Sequence, residues 1–229
     1  ADIEALFTVA DDLGEARFIT DKLPELAEIK SRRAANNGEQ AALIGPRILE
    51  LCAAADIVFM ALHGEEGENG KLQAAFDLLG IKYTGSGPEG SMLAMNKMLT
   101  KQILLGSGLL TARGFLLCQG EIEPEQAAAR YDIPYPCMVK PCGGGSSIGL
   151  TKVQCEQELA DAIRLAFTYE DKIIVEEFII GREFSVAVLD EQYLPVMEVR
   201  YDSDFFDYFH KYQAGLATEI CPAEIEPEL

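Results

Sequence analysis

The sequence predicts a protein that combines α/β and α+β organisation, because its elements alternate early in the chain and become strand-rich later. Between residues 56 and 86 a strand, a loop, a helix and a second strand follow one another, which is typical of an α/β layer. After about residue 130, strand-like runs are joined mostly by short turns, with one helix at about 156–168 inserted, which favours an antiparallel α+β sheet. With 229 residues, 48% of them hydrophobic, the chain can bury the core of one or two domains.

The first part of the chain contains four predicted elements. Residues 4–20, EALFTVADDLGEARFIT, alternate around the DDLG turn and indicate a hairpin. The apolar run DIVFMAL at 56–62 indicates a buried strand that ends in HGEEGENG. A helix follows, because apolar residues recur at helical spacing and Gly80 is a natural stop. These apolar residues are Leu72, Ala75, Phe76 and Leu79. IKYTGSG then indicates a short strand and a turn.

The second part begins with a helix and continues with strands. From Glu89 to Leu105 the apolar residues fit one face of a single helix, which leaves Lys97 and Lys101 on or near another face. The strand-like runs that follow are YPCMVKP, GLTKV, KIIVEEFI, EFSVAVLD and LPVMEVRY. Since the pattern changes from α/β to α+β, we place a domain boundary between about residues 84 and 95.

The charge of the chain excludes several classes of partner. Its 38 acidic residues outnumber the 19 basic ones, which gives a net charge of −19 at pH 7. A field of this sign repels nucleic-acid phosphates and anionic lipids, so we expect neither nucleic acid nor a membrane surface as a partner. A lysine beside glycines is then a local exception that could serve a small anionic ligand.

Cysteine usage and hydropathy predict a cytoplasmic location. The six cysteines form no CxxC pair and show no metal-ligand spacing, so we expect free thiols in a reducing compartment and no zinc site. They are Cys52, Cys118, Cys137, Cys142, Cys155 and Cys221. No apolar run approaches the roughly 20 residues that span a bilayer, and no signal peptide opens the chain.

The segment VKPCGGGSSIG at 139–149 is the first candidate for chemistry. Glycines let successive backbone N–H groups turn toward a ligand and form an anion-binding nest. Lys140 adds a charge, and Ser146 and Ser147 add hydroxyl donors, so the loop suits a polyphosphate. It is not a Walker motif, because GxxxxGK[ST] is absent and the lysine precedes the glycines. A flexible hairpin tip is the alternative for this loop taken alone.

Two later segments are candidates for the same site. In VEEFIIGREFSVAVL, Glu176 and Glu177 end a strand and Glu183 follows a turn, where carboxylates could hold an adenine amino group and ribose hydroxyls. In FFDYFHKYQAG, aromatic residues surround Lys211 and Tyr212 without a strand or helix period, as in an ordered lid loop. The alternatives are surface charge for the glutamates and a loop packed by its own aromatic side chains.

Taken together, these segments resemble the D-alanine:D-alanine ligases of the ATP-grasp superfamily, from about Asp56 to Ile225 and in matching order. LHGEEGENGKLQ is similar to that family's LHGxxGEDGxxQ, and IKYTGSGPEGSMLAMNKMLTK to its IPYTGSGxxASAxxMDKxxTK. VKPCGGGSSIG resembles VKPxxxGSSxG, and IGREFSVAVL resembles the GxEFTVAVL strand. MEVRYDSDFFDYFHKYQAG resembles the loop on the acceptor side.

The resemblance implies an ATP-grasp architecture and an ATP-driven ligation. The first D-alanine carboxylate is phosphorylated to an acyl phosphate, and the amine of the second D-alanine displaces phosphate, for peptidoglycan precursor synthesis. It implies a partial N-terminal α/β domain at 1–88, a central ATP-grasp subdomain at 89–177 and an incomplete C-terminal subdomain at 178–229. D-alanine and ATP are the expected partners, Mg²⁺ is an expected cofactor, and a homodimer is the expected assembly.

The resemblance also implies a role for individual residues. Lys97 and Lys140 contact ATP phosphates, and Glu176 and Glu183 contact adenine and ribose. Lys211 approaches the γ-phosphate when its loop closes, and Ser146 and Tyr212 help to place that loop over the substrates. The remaining implied contacts are Gly145, Ser147, Glu177, Phe178 and Ile179 for ATP, and His63 and Tyr212 for D-alanine.

The sequence departs from the family pattern at several points. Asn69 and Asn96 replace aspartates, and we expect both changes to be tolerated because the hydrogen-bonding shape is kept. No glycine-rich turn with a serine–glutamate pair precedes Ala1, and nothing like the metal-binding DxR and ExN stretches follows Leu229, so we expect a chain that is clipped at both ends. The Mg²⁺ ligands are expected in the absent C-terminal segment, and no residue of this chain is assigned to the metal.

Two alternatives to the D-alanine:D-alanine ligase remain open at the level of sequence. A ligase that joins D-alanine to D-serine or D-lactate differs mainly in the acceptor loop, where Lys211 and Tyr212 favour D-alanine. A non-catalytic nucleotide-binding or partner-binding module could keep the fold without the chemistry.

Overall fold

The computed structural model describes part of the chain as two compact units. The described residues are 31, 44–45, 47–145, 147–201 and 215–226. The predicted hairpin at 4–20 and the candidate residues Ser146, Lys211 and Tyr212 lie outside them. The two units comprise residues Ala1–Ala61 with Leu72–Gly87, and residues Leu62–Lys71 with Pro88–Leu229. In the described ranges no helix has both the length and the hydrophobicity to cross a membrane.

The first unit contains little of the predicted strand at 56–62. Val58 forms one parallel bridge to Tyr83, with Val58 N donating to Lys82 O at 2.8 Å and Thr84 N donating to Val58 O at 3.0 Å. Met60 N then donates to the Thr84 hydroxyl at 2.9 Å, so a side chain replaces the next backbone partner and pairing stops. Phe59 is 79% exposed. The prediction of a buried strand over 56–62 is therefore wrong.

Helices in this part of the chain include one that the sequence predicts well. The helices are α1 (Ile48–Ala54), α2 (Glu65–Glu68) and α3 (Lys71–Leu79). The predicted helix is α3, whose Phe76 side chain is only 2% exposed. Gly80 ends it with a φ of +66°, and Ile81 N donates back to Phe76 O at 2.9 Å.

The single helix predicted from Glu89 to Leu105 is wrong, because two helices occupy this segment. They are α4 (Pro88–Met95) and α5 (Lys97–Gly106). Asn96 between them is extended, and its Oδ1 accepts a hydrogen bond from Leu99 N at 3.1 Å. Asparagine favours this capping position, whereas apolar periodicity continues across the break and does not reveal it.

A four-stranded antiparallel sheet forms the core of the second unit. Its strands are β1 (Gly114–Cys118), β2 (Cys137–Pro141), β3 (Thr151–Val153) and β4 (Lys172–Glu177), in the order β1-β4-β2-β3. A short 3₁₀ turn at Pro124–Gln126 and α6 (Ala127–Arg130) precede β2, and α7 (Glu156–Phe167) joins β3 to β4. The antiparallel pairing and α7 are as predicted, whereas β1 was not predicted.

One face of this sheet packs against α7. The helix buries Leu159, Ala162, Ile163 and Ala166. Their partners in the hydrophobic core include Leu117, Val139, Val153, Ile173 and Val175, all fully buried. Burial of aliphatic side chains at this level stabilises the fold by about 1.5–3 kcal/mol each. The opposite face of β2 and β4 carries the side chains of Lys140 and Glu176.

Smaller sheets follow β4. One contains β5 (Glu183–Ser185), β8 (Met197–Tyr201) and β9 (Ala217–Ile220) in the order β5-β8-β9, and a two-stranded hairpin contains β6 (Val188–Leu189) and β7 (Gln192–Tyr193). The run EFSVAVLD is thus two strands, β5 and β6, and not one. Asp190 and Glu191 have φ values of +48° and +64°, which fit a two-residue hairpin turn that makes β6 pair with β7.

A buried carboxylate on β8 pairs with two arginines. Glu198 on β8 is 3% exposed, and Arg182 donates to its two oxygens from Nε and Nη2, each at 2.7 Å. Arg200 adds a third hydrogen bond at 2.7 Å. Hydrogen bonds from Arg182, followed by those from Arg200, lower the pKa of Glu198 to about 2.

Candidate functional site

The glycine-rich segment connects the end of β2 to β3. Met138 lies opposite Glu176 in the β2–β4 ladder, and Lys140 is two residues farther along β2. Because side chains alternate between faces, Lys140 and Glu176 share the face opposite α7. Strand β2 therefore places the Lys140 ammonium group at the start of the glycine-rich segment, and strand β4 places the Glu176 carboxylate on the same face.

Lys140 and Glu176 belong to a three-residue ion cluster. Lys140 Nζ pairs with Glu176 Oε1, and Lys101 Nζ on α5 lies 2.7 Å from Glu176 Oε2. The side chains of Lys101 and Glu176 are 12% and 11% exposed, and that of Lys140 is 21% exposed. Burial raises the pKa of Glu176, but Lys140 and Lys101 together outweigh burial, and the pKa is lowered. The carboxylate is thus held in its ionised form.

Lys97 holds the first part of the glycine-rich segment. Its ammonium group donates to Cys142 O at 3.3 Å and to Gly144 O, while its backbone N–H donates to Cys142 O at 3.0 Å. Burial lowers the pKa of Lys97, and the charge of Lys140 lowers it further. Two lysines therefore converge on the same end of the sheet.

The turn after α7 fixes the segment from its other side. Glu170 accepts the backbone N–H of Gly143, with distances of 2.7 Å to Oε2 and 3.1 Å to Oε1. Gly149 has a φ of +70°, and a Cβ at this position would lie 2.6 Å from the Tyr169 ring. A side chain at Gly149 is thus excluded by both conformation and space.

The HGEEGENG segment lies beside the glycine-rich segment. Glu68 Oε2 accepts the backbone N–H of Gly64 at 2.7 Å, and a Cβ at Gly145 would lie 3.7 Å from that same oxygen. His63 is exposed and directly precedes Gly64. The structure thus brings Gly145 next to Glu68, five residues from His63. Ser147 is half-buried and has a left-handed φ of +57°.

Of the candidate residues at the end of β4 and on β5, Glu177, Phe178 and Glu183 have partners within the fold. Glu177 Oε1 accepts the backbone N–H of Arg113 at 2.7 Å, so this carboxylate secures the start of β1. Lys152 Nζ lies over the Phe178 ring, 4.1 Å from the ring centroid. Ile179 is 63% exposed. Glu183 Oε2 accepts the Tyr201 hydroxyl at 2.9 Å.

Lys97, Lys140 and Glu176 therefore meet at one end of the sheet together with the glycine-rich segment. The described residues contain no group of three or more His, Cys, Asp or Glu side chains that could hold a metal ion. Lys101 and Glu170 also belong to this constellation and were not predicted from the sequence. Lys101 follows Lys97 by one helical turn, a spacing that could have indicated a shared direction. Glu170 lies in a turn, where no periodicity marks it.

Family comparisons agree with the motifs. A model described as D-ala D-ala ligase C-terminus matches residues 109–229, which is more than half of the chain, and a model described as D-ala D-ala ligase N-terminus matches residues 7–86. The D-alanine–D-alanine ligase of Pediococcus pentosaceus is 46% identical over 82% of this chain and 52% of its own length. That of Lacticaseibacillus casei is 42% identical over 79% of this chain and 49% of its own length. The chain spans about half the length of these curated relatives.

Solved structures give the same fold. The VanG D-Ala:D-Ser ligase from Enterococcus faecalis is 36% identical with a TM-score of 0.63, covering 76% of this chain and 52% of that one. The D-alanine–D-alanine ligase from Bacillus anthracis complexed with ATP is 27% identical with a TM-score of 0.65, covering 79% and 56%. These similarities confirm the predicted fold class. With both halves of the family's sequence pattern present in order, the chain belongs to the D-alanine–D-alanine ligase family.

Proposed function

We propose that this chain provides nucleotide-binding residues of an ATP-dependent ligase that joins two D-alanines into D-alanyl-D-alanine through an acyl phosphate. The observation that carries the proposal is the convergence of Lys97 and Lys140 on a glycine-rich segment that Glu170 holds at Gly143 and that the Tyr169 ring borders at Gly149. Preorganised cations beside a glycine-rich segment suit a polyphosphate, because they are already in place when charge develops.

ATP is assigned to the face of the sheet opposite α7. Lys97 and Lys140 neutralise phosphate charge, Glu176 accepts the adenine amino group, and Glu183 accepts ribose hydroxyls. Both lysines hold protein groups in the present structure, and an ammonium group has three N–H donors, so each can bind a phosphate oxygen in addition to these partners. The exposed Ile179 side chain is free to pack on the base. The other residues assigned to ATP are Gly145, Ser146, Ser147, Glu177, Phe178 and Lys211.

A carboxylate is a poor electrophile, so the proposed reaction first converts one of its oxygens into a phosphate leaving group. ATP supplies the γ-phosphoryl group: an oxygen of the first D-alanine carboxylate attacks phosphorus, and ADP leaves. The neutral amine of the second D-alanine then attacks the acyl carbon, the carbon–oxygen bond to phosphate breaks, and the departing phosphate takes up the proton that nitrogen loses. Lysine charges and backbone N–H groups hold the negative charge on the transferring phosphoryl group. Lys211 approaches the γ-phosphate when its loop closes, Ser146 and Tyr212 help to place that loop over the substrates, and His63 and Tyr212 contact D-alanine.

Mg²⁺ would accompany the nucleotide in this proposal and would neutralise phosphate charge, as is general in phosphoryl transfer. The described ranges offer no fitting cluster of metal ligands, so none of their residues is assigned to the metal and no step is derived through it.

D-Serine is the second candidate acceptor. The Enterococcus faecalis structure that is 36% identical to this chain is described as a D-Ala:D-Ser ligase. D-Alanine is favoured, because the curated relatives with 46% and 42% identity are D-alanine–D-alanine ligases.

The cellular setting completes the proposal. We place the reaction in the cytoplasm, within peptidoglycan precursor synthesis and cell wall biogenesis, and assign the protein a homodimeric state. The proposed domain limits are 1–88, 89–177 and 178–229. These assignments follow from membership of the family together with the acidic charge and scattered cysteines of the sequence.

Phosphate release by the full-length protein tests the proposal. The protein is incubated with ATP and Mg²⁺, either alone or with D-alanine, D-serine or D-lactate, and phosphate is measured over time. We expect release that depends on D-alanine, is strongly reduced by Lys140→Ala, and is unchanged by Lys82→Ala at an exposed lysine in the first unit. A preference for D-serine as second substrate would select the second candidate. Absence of release with every amino acid would overturn the enzyme assignment.

A further inference from the structure

We infer that Lys101 is a positioning residue that orients the Glu176 carboxylate and thereby makes the site select a 6-amino purine over a 6-oxo purine. The inference rests on the proposed function, in which Glu176 faces the adenine base. It goes beyond that function because none of the proposed ATP contacts involves Lys101.

The Glu176 carboxylate is held by a cation at each of its two oxygens. Lys101 Nζ lies 2.7 Å from Oε2 of Glu176, and Lys140 Nζ pairs with Oε1 of the same carboxylate. Lys101 lies on α5 and Lys140 lies on β2, and the two ammonium groups pair with different oxygens of the carboxylate. A carboxylate held at both oxygens has a fixed plane as well as a fixed position, whereas a carboxylate held at one oxygen can rotate.

The ion pair between Lys101 and Glu176 is largely buried. The side chains of Lys101 and Glu176 are 12% and 11% exposed, so the pair lies largely out of water. A buried ion pair commonly contributes little net stability, because the loss of hydration offsets the attraction between the charges. Packing of α5 against the sheet does not by itself explain why residue 101 is a lysine. An aliphatic side chain of similar length would pack at this position without the cost of removing a charge from water.

The Glu176 carboxylate can act only as a hydrogen-bond acceptor while it is ionised. With a cation at each oxygen Glu176 stays ionised, and an ionised carboxylate can only accept hydrogen bonds. Each oxygen has a second lone pair, which can accept from the 6-amino group of adenine. The same position in hypoxanthine or guanine is a carbonyl oxygen, which is itself an acceptor and would be left unpaired against the carboxylate. Sites that leave a buried polar group unpaired reject the wrong ligand strongly.

Lys101 thus acts through Glu176 and does not touch the nucleotide. Removal of its charge frees Oε2, allows the carboxylate to turn, and weakens the hold on its ionised form. Binding of an amino-bearing base suffers, and binding of a 6-oxo base, which gains nothing from the carboxylate, does not suffer to the same degree. A role limited to docking α5 would weaken both nucleotides equally, because both use the same phosphate contacts.

The test compares ATP with inosine triphosphate, which differs at position 6 of the purine. Calorimetric titration of the full-length protein gives both affinities for the wild type and for Lys101→Met, Lys101→Gln and Lys101→Arg, with Lys82→Met as a matched control at an exposed lysine. We expect the ratio of ATP affinity to inosine triphosphate affinity to fall about tenfold in Lys101→Met, the loss typical of one charge-assisted hydrogen bond. Lys101→Arg should restore most of the ratio, and Lys82→Met should not change it.

Each other outcome contradicts the inference in a distinct way. Equal weakening of both nucleotides would reduce Lys101 to a structural contact, and an unchanged ratio in Lys101→Met would remove it from base selection altogether. Should Lys101→Met fail to fold, Lys101→Gln and Lys101→Arg provide the same comparison, and the neutral Gln variant must show the lower ratio. Wild-type protein that binds neither nucleotide would overturn the proposed function, and the inference with it.

Discussion

The backbone N–H of Gly143 donates to the carboxylate of Glu170, at 2.7 Å from Oε2 and 3.1 Å from Oε1, although 27 residues separate them in sequence. The contact joins the turn after α7 to the start of the glycine-rich segment. One consequence is that this N–H group is already engaged and serves to shape the segment. The groups that remain for a nucleotide lie farther along it.

Glu170→Ala should therefore weaken ATP binding without unfolding the protein. Loss of the acceptor leaves Gly143 N–H without this partner, and we expect a decrease in affinity of about 1 kcal/mol, the usual worth of one hydrogen bond. Calorimetric titration with ATP measures it. Glu170→Gln keeps an acceptor oxygen and should bind nearly as well as wild type, and Asp171→Ala at the adjacent exposed residue is the control. Equal affinity in Glu170→Ala and wild type would show that this contact does not shape the site.

Lys140→Ala should have a larger effect on ATP binding, because it removes a charge from the site. We expect a loss of about 1.5–3 kcal/mol, the range of a charge-assisted hydrogen bond. The variant also leaves Glu176 with Lys101 as its lysine partner. Titration of the full-length protein gives the affinity, and circular dichroism checks the fold. Unaltered ATP affinity in a folded variant would remove Lys140 from the phosphate site.

Asn96→Ala should destabilise the junction between α4 and α5. The Asn96 side chain caps α5 by accepting the Leu99 N–H at 3.1 Å, and loss of such a cap costs about 1 kcal/mol. Asn96→Asp keeps the accepting oxygen and should unfold at nearly the urea concentration of wild type. Urea denaturation compares the three proteins. If alanine and aspartate at this position have the same stability, capping is not what divides the two helices.

The lowered pKa of Glu198 predicts how the free energy of unfolding depends on pH. Its folded-state pKa of about 2 lies below the ordinary value of about 4.3 for glutamate, so its contribution is complete above the ordinary value and is lost as pH falls towards 2. Wild type should therefore exceed Glu198→Gln in unfolding free energy at pH 7, and the difference should shrink below about pH 4.3. Urea denaturation at a series of pH values measures this difference. A difference that stays constant down to pH 3 would contradict the assignment.

Elements whose apolar residues form one continuous run or follow one helical period could be predicted from the sequence. Val139 and Val175 lie in continuous apolar runs, which become β2 and β4, and the amphipathic spacing around Ile163 marks α7. Periodicity fails where local hydrogen bonding competes with it. Asn96 divides one apolar stripe into two helices, and Thr84 ends the pairing of Val58 after one bridge.

The candidate site was predictable in its motifs but not in its pairings. Lys140 stands out beside three glycines, and Glu176 at the end of an apolar run. The ion pair between Lys101 and Glu176 joins residues 75 positions apart, and a single sequence carries no record of that contact. Glu170 is one acidic residue among 38, so only its position in the folded chain distinguishes it.

The most direct test of the central claim follows an oxygen atom through the reaction. Full-length protein is incubated with ATP, Mg²⁺ and D-alanine that carries ¹⁸O in its carboxylate. The masses of the released phosphate and of the dipeptide are then measured by mass spectrometry. If the carboxylate attacks the γ-phosphorus and phosphate later leaves from the acyl carbon, one ¹⁸O must appear in the released phosphate as D-alanyl-D-alanine forms. Dipeptide accompanied by unlabelled phosphate, or phosphate released without dipeptide, would contradict the acyl phosphate mechanism.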